Sequence, residues 1–232
     1  MQAHGQAEVA RRRRPPRSGA GGFTLIELLV AIAAMALLAL MSWRGIDGMA
    51  RAQSATRERA DAVLTLQTAL AQWSADLDAT LDLPATQAIA WDGRTLRLTR
   101  RTPLGDAAAV QVVAWALQTR QGVTQWHRWQ SPPVTLRADW QQAWARAQSW
   151  GRSGSSDGQG SDVSVLPLDS WQLLYFSNDT WVPATPTSNA SGAATATLPD
   201  GIRLVLDIPA GAALGGALTR DWVRPTLVVP KS

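Results

Sequence analysis

From Leu28 to Met41 the chain carries no polar side chain. With its flanks the run reads FTLIELLVAIAAMALLALMSW, Phe23 to Trp43. As a helix rising ~1.5 Å per residue these residues span about 31 Å, which matches the ~30 Å hydrocarbon core of a bilayer. A segment that is apolar on every side must meet lipid or other apolar helices, because a small soluble fold can cover only one stripe of it. Its one charge, Glu27, lies near the start.

Charge is distributed just as unevenly. Residues 1–22 hold Arg11, Arg12, Arg13, Arg14 and Arg17 against the single acid Glu8, which accounts for the whole formal net charge of +4. The remaining 210 residues are balanced, with 17 basic and 17 acidic groups. A nucleic-acid binder needs its excess cations on the folded surface. Here they form a leader, so the basicity reads as an address label and no nucleic-acid partner is expected. Arginines before an apolar span favour a cytoplasmic N-terminus and an outward C-terminus.

Three ordinary readings fit the span poorly. A secretory signal needs small residues at a cleavage site after the apolar run, and Ser42-Trp43-Arg44-Gly45 offers a poor one. A plain anchor leaves Glu27 unexplained. A buried core helix explains neither the arginines nor the length. The junction Gly21-Gly22-Phe23-Thr24-Leu25-Ile26-Glu27-Leu28-Leu29-Val30-Ala31 resembles the processing site of type IV prepilins and type II secretion pseudopilins. The resemblance implies that a prepilin peptidase cuts between Gly22 and Phe23 and that the new amino terminus, on Phe23, is methylated. Such a cut removes the arginines and keeps the apolar helix, so the mature chain stays in the inner membrane until another apolar surface receives it. A charge deep in a bilayer costs roughly 2.5–3.5 kcal/mol on insertion scales, so Glu27 should have a partner. The resemblance implies that the partner is the terminal amine of a neighbouring subunit, which sets assembly register. The plainer alternative is that Glu27 favours the helix N-terminus through the macrodipole, worth about 0.3–1 kcal/mol.

Beyond Trp43 the chain turns polar. Gly45 and Gly48 mark a weak point, since a glycine costs about 1 kcal/mol in a helix interior. Val63, Leu66, Leu70, Trp73, Leu77 and Leu81 then recur at steps of three and four, the pattern of an amphipathic helix with one buried stripe, and Pro84 stops it. Residues 83–232 read as β-rich. Strands are expected over Arg94–Thr99, Val110–Leu117, Gly122–Trp129, Trp171–Ser177, Ile202–Ile208 and Trp222–Val229, separated by turn residues. Ala138–Gln148 reads as a helix, with Trp140 and Trp144 on one face. Gly151–Ser161 and Thr185–Thr197 read as low-complexity loops. The fold class is therefore α+β: a long N-terminal helix, membrane-spanning and then amphipathic, packed on an antiparallel β-sheet domain. The expected divisions are a leader over 1–22, an assembly helix over 23–43, its amphipathic continuation over 44–82 and a periplasmic domain over 83–232.

Within the pseudopilins the soluble half is most similar to the J-type minor pseudopilin. The resemblance rests on Trp43-Arg44-Gly45-Ile46-Asp47, on Leu66-Gln67 through Leu70 to Asp76-Leu77, and on Leu96–Arg101 followed by Gln111-Val112-Val113-Ala114-Trp115. It extends to Leu173–Phe176 with Trp181, and to Leu198-Pro199 ahead of Ile202–Leu206. It implies a place at the tip of a periplasmic pseudopilus, with I-type and K-type minor pseudopilins and the major pseudopilin as partners. The leader alone does not separate this from a minor pilin of a type IV pilus or DNA-uptake system.

Catalytic chemistry finds little to work with. There is no cysteine and there are only two histidines, His4 and His127, which removes thiolate and multi-histidine metal sites. No P-loop, G-x-S-x-G, G-x-G-x-x-G or H-E-x-x-H motif occurs, so no enzyme activity and no cofactor are expected. His127 reads as a surface or half-buried strand residue. Asp157-Gly158-Gln159-Gly160-Ser161-Asp162 hints at calcium but lacks the ligand spacing of a calcium loop. The twelve tryptophans sit in strand and helix patterns and are expected to pack cores or subunit interfaces.

Overall fold

The computed structural model describes residues 22–105, 107–154, 159–186 and 198–225. The first helix, α1, runs from Leu25 to Asp78, 54 residues without interruption. Gly45 and Gly48 therefore do not break it. Alanine, leucine and arginine on either side carry enough helix propensity to offset two glycines.

The chain divides into two compact units, one ending at Ser54 and one starting at Ala55. In the first, no residue from Gly22 to Ser54 is buried. Its helix is long and apolar enough to cross a membrane.

The second unit begins with the C-terminal turns of α1. There the sequence stripe becomes a packing face: Trp73 and Leu77 are fully buried, and Leu66 and Leu70 pack beside them. The helix ends at Asp78, three residues before the expected Leu81. The reason is a competing ladder. Thr80 bridges Arg100, and the Leu81 amide donates to the Thr99 carbonyl at 2.9 Å.

Two antiparallel sheets follow, in keeping with the expected antiparallel domain. The first has the order β1 (Ile89–Trp91), β2 (Thr95–Leu104), β3 (Ala107–Arg120), β4 (Val123–Gln130) and β5 (Ser161–Pro167). The second is built from β6 (Ser170–Ser177), β7 (Thr180–Pro183), β8 (Gly201–Ile208) and β9 (Gly216–Val223), in the order β7-β6-β8-β9. Helix α2 (Arg137–Ser153) lies between β4 and β5 in the chain.

The cores explain the layers. One face of the first sheet joins the second sheet and α1: Leu96, Leu98, Val113, Trp115 and Trp126 meet Trp73, Leu77, Trp171, Ile202 and Leu204. Trp73 sits edge-on to Trp115 at 5.5 Å and to Trp171 at 6.2 Å, the arrangement that indole quadrupoles favour. The other face carries α2. Here β3 offers Val112, Ala114 and Ala116, and α2 answers with Trp140, Ala143, Trp144, Ala147 and Trp150. Small residues on the sheet let the tryptophan-bearing helix approach closely. A side chain at Gly151 would come within 2.0 Å of Thr95 Oγ1, so only glycine fits at that crossing.

Several sequence expectations need correction. The last strand among the described residues is Gly216–Val223, which starts six residues before the expected Trp222–Val229; the expected strand's residues 226–229 lie outside the described residues. Gly151–Ser153 form the last turn of α2 instead of a loop, because Gly154 takes the left-handed conformation (φ 69°) and closes the helix with a bond to the Trp150 carbonyl. Ser161 opens β5. Of the expected Thr185–Thr197 loop, residues 187–197 lie outside the described residues.

Candidate functional site

The start of α1 is closed by its own side chains. The Thr24 carbonyl accepts the first helical bond, from the Leu28 amide at 3.2 Å. The Thr24 hydroxyl accepts from the Glu27 amide at 3.3 Å, and Glu27 Oε2 accepts from the Thr24 amide at 3.3 Å and the Thr24 hydroxyl at 3.2 Å. This is a capping box, in which two otherwise orphaned amides are satisfied reciprocally. Threonine three residues before glutamate is the sequence signature of this device. Phe23, just ahead of it, is 84% exposed. Gly22 is exposed too, and a side chain there would meet nothing within 4 Å. The fold of the described residues makes no demand for glycine at that position.

The other end of α1 is fastened by charge. Asp76 is fully buried. Its carboxylate accepts from Arg128 Nε at 2.7 Å and Nη2 at 2.8 Å, from Trp115 Nε1 at 2.9 Å, from Gln72 Nε2 at 3.0 Å and from Arg100. One helix position is thereby tied to β2, β3 and β4. Two residues on, Asp78 accepts from Trp222 Nε1 of β9 at 2.7 Å, which adds the second sheet. The pair fixes where the helix meets the domain. A buried carboxylate facing two guanidinium groups is tolerated only because every acceptor position is filled.

A second, half-buried acid lies at the far edge of the first sheet. Asp162 of β5 accepts from Trp150 Nε1 at 3.2 Å and from Arg120, and pairs with His127 Nδ1 at 3.1 Å. Burial pushes its carboxyl up, but the hydrogen bonds from His127, Arg120 and Trp150 prevail and hold it below the usual carboxylate range. His127 is therefore not a surface or half-buried residue: it is 3% exposed and fastens β4 to β5. Asp162, the last residue of the stretch that hinted at calcium, is committed to these internal donors. Asp157 and Gly158 of that stretch lie outside the described residues.

Of the residues singled out in the sequence, Gly22, Phe23 and Glu27 come together at one helix end. Asp76 was visible only as part of a resemblance, and its partners Arg100 and Arg128 gave no signal, because strand arginines normally face solvent. Among the tryptophans only Trp43 (72% exposed) and the partly covered Trp181 escape burial, which fits core packing.

Residues 17–43 match the prokaryotic N-terminal methylation motif. The matched stretch takes in the Gly22-Phe23 junction, the capping box of Thr24 and Glu27, and the apolar run. Among solved structures the fold is similar to one chain of the GspK-GspI-GspJ complex from the type 2 secretion system of enterotoxigenic Escherichia coli. The identity is 14% over 69% of this chain and 96% of that one, with a TM-score of 0.47. So distant a likeness carries no functional information by itself.

Proposed function

We propose that the chain is a J-type minor pseudopilin of a type II secretion system, a non-enzymatic component of the pseudopilus tip that helps to initiate assembly and supports export across the outer membrane. The observation that carries this reading is the junction itself: a methylation motif joined to a helix in which no residue up to Ser54 is buried, although that stretch is largely apolar. The absence of any local demand for glycine at Gly22 supports an external reader, a prepilin peptidase that cuts before Phe23 and methylates its amine. Before assembly the precursor crosses the inner membrane once, N-terminus in the cytoplasm and β-domain in the periplasm. After cutting, the helix leaves lipid for a bundle of like helices from I-type, K-type and major pseudopilins.

Glu27 has two successive roles in this account. In the lone chain it completes the capping box with Thr24. In the assembly it pairs with the terminal amine of a neighbour, a charged partner that offsets its cost in an apolar bundle better than a threonine does. The test is Glu27→Gln expressed in a strain lacking the native gene. The expected result is normal cutting with weakened co-purification of the I-type and K-type proteins and reduced secretion. Unchanged co-purification contradicts the pairing. Intact secretion in the deletion strain, with loss of surface pili instead, would favour a minor pilin.

A further inference from the structure

The residues of β2 alternate, but their chemistry does not suit where they lie. Leu96 and Leu98 enter the core shared with α1, and Arg100 reaches Asp76. Thr95, Arg97, Thr99 and Arg101 face the other way, toward α2: Thr95 lies against Gly151, Arg97 under Trp144, Thr99 accepts from Trp140 Nε1 at 2.9 Å, and Arg101 shares a recess with Arg137 and Trp140. A Thr-Arg-Thr-Arg face is made for water or a polar ligand, yet α2 seals its first three positions completely.

Arg97 bears the consequence. Its side chain is fully buried, and Nε, Nη1 and Nη2 all lack a hydrogen-bond partner among the described residues. Thr95 Oγ1, two residues away on the same face, is buried and unpartnered as well. The sheet neighbours opposite Arg97 are Ala90 and Ala114, and the helix above contributes Ala143 and Ala147, so among the described residues neither layer supplies a counter-ion. Asp92 acts on Arg97 only at a distance, since its Oδ1 is taken by the amides of Arg94 and Thr95 at 3.0 and 2.7 Å. The contrast with Arg100 and Arg128, both held on Asp76, is sharp. Trp144 covers the guanidinium face, with the ring centroid 4.9 Å from Cζ. A ring over the face leaves the in-plane N–H groups aimed sideways, and the in-plane fork is the edge that a carboxylate engages through two parallel bonds.

We propose that Arg97 and Thr95 form a buried carboxylate-binding site between β2 and α2, with α2 as its cover. The ligand is a carboxylate held bidentately by the Arg97 guanidinium and accepting from the Thr95 hydroxyl. This site is independent of the helix assembly proposed above, and it uses none of the residues at the start of α1. Burial holds the Arg97 guanidinium below its ordinary value, with Asp92 opposing and Arg152 adding to the fall. An incoming carboxylate reverses that, so ligand and charge on Arg97 support each other.

The same chemistry can come from a free small acid or from an acidic side chain of a partner protein. The experiment uses the full chain in detergent, titrated with sodium acetate against sodium chloride at constant ionic strength, and in a second arm with a glutamate-rich peptide against its glutamine counterpart. Thermal unfolding and amide exchange over residues 137–153 are followed. A carboxylate-specific rise of about 2–4 °C in Tm is expected in the native chain, with none in Arg97→Met and a smaller one in Arg97→Lys. Arg97→Met should itself melt higher than the native chain in chloride, because it removes an unpaired buried charge. A response to acetate alone assigns the site to a free acid. A response to peptide with faster exchange in α2 assigns it to a partner's side chain. No carboxylate-specific shift in either arm, or an equal shift in Arg97→Met, overturns the proposal. Should Arg97→Met not fold, the native and Arg97→Lys titrations decide it.

Discussion

The two stretches of α1 belong to one unbroken helix and obey opposite rules. Up to Ser54 the helix is rich in leucine, isoleucine and alanine, and none of its residues is buried. From Ala55 to Asp78 it is far more polar, and there it buries Ala69, Trp73, Asp76 and Leu77. Apolar content therefore does not predict burial within a chain; the available partner does. The second stretch has its partner in the same polypeptide, two sheets that supply both apolar surface and guanidinium groups. The first has none among the described residues, and a surface so large and uncovered is stable only in lipid or against other apolar helices.

This contrast can be broken by substitution. The largest effect is expected at Asp76. Asp76→Ala leaves the half-buried Arg100 and Arg128 without their counter-charge, and should cost about 3–5 kcal/mol, read as a lower denaturant midpoint for the full chain in detergent. Next, Leu37→Asp places a charge mid-span, where insertion costs roughly 2.5–3.5 kcal/mol. It should move the protein out of the membrane fraction and leave the midpoint of the β-domain unchanged. An altered midpoint would show that the two stretches are not energetically separate.

A smaller effect concerns acid. The Asp162 carboxyl is held below its ordinary value in the folded state. Its contribution is thus fully present above the unfolded carboxylate value, about 3.9, and fades as pH falls through the depressed folded value. Asp162→Asn should flatten this acid limb below about pH 4, measured by denaturant midpoints as the pH is lowered. The smallest effect belongs to the ion pair of Asp47 with Arg51, four residues apart and largely exposed in the first stretch. Asp47→Ala should change stability by less than about 0.5 kcal/mol, in contrast to the same substitution at Asp76.

Much of this was legible in the sequence, and the exceptions have physical causes. The helix, its buried stripe and the strands β2, β3, β4, β6 and β8 follow from periodicity, because each keeps a regular pattern over its length. The short strands β1 and β7 hold too few residues to show a period. β5, an edge strand reading SDVSVLP, hides behind a glycine- and serine-rich approach. The start of α1 was legible because its chemistry is local: glycine, threonine and glutamate act within one turn. Asp76 and Asp162 were not, because their donors come from strands 24 to 52 residues away and from three or four different elements. Arg97 misleads most. Its alternation with leucine announces a solvent face, and only the docking of α2 turns that face inward.

Mass spectrometry of the mature protein from cells tests the central claim most directly. A chain that begins at Phe23 and carries one extra methyl on its terminal amine is the predicted result. A chain that still begins at Met1, or one that begins downstream of Trp43, contradicts it.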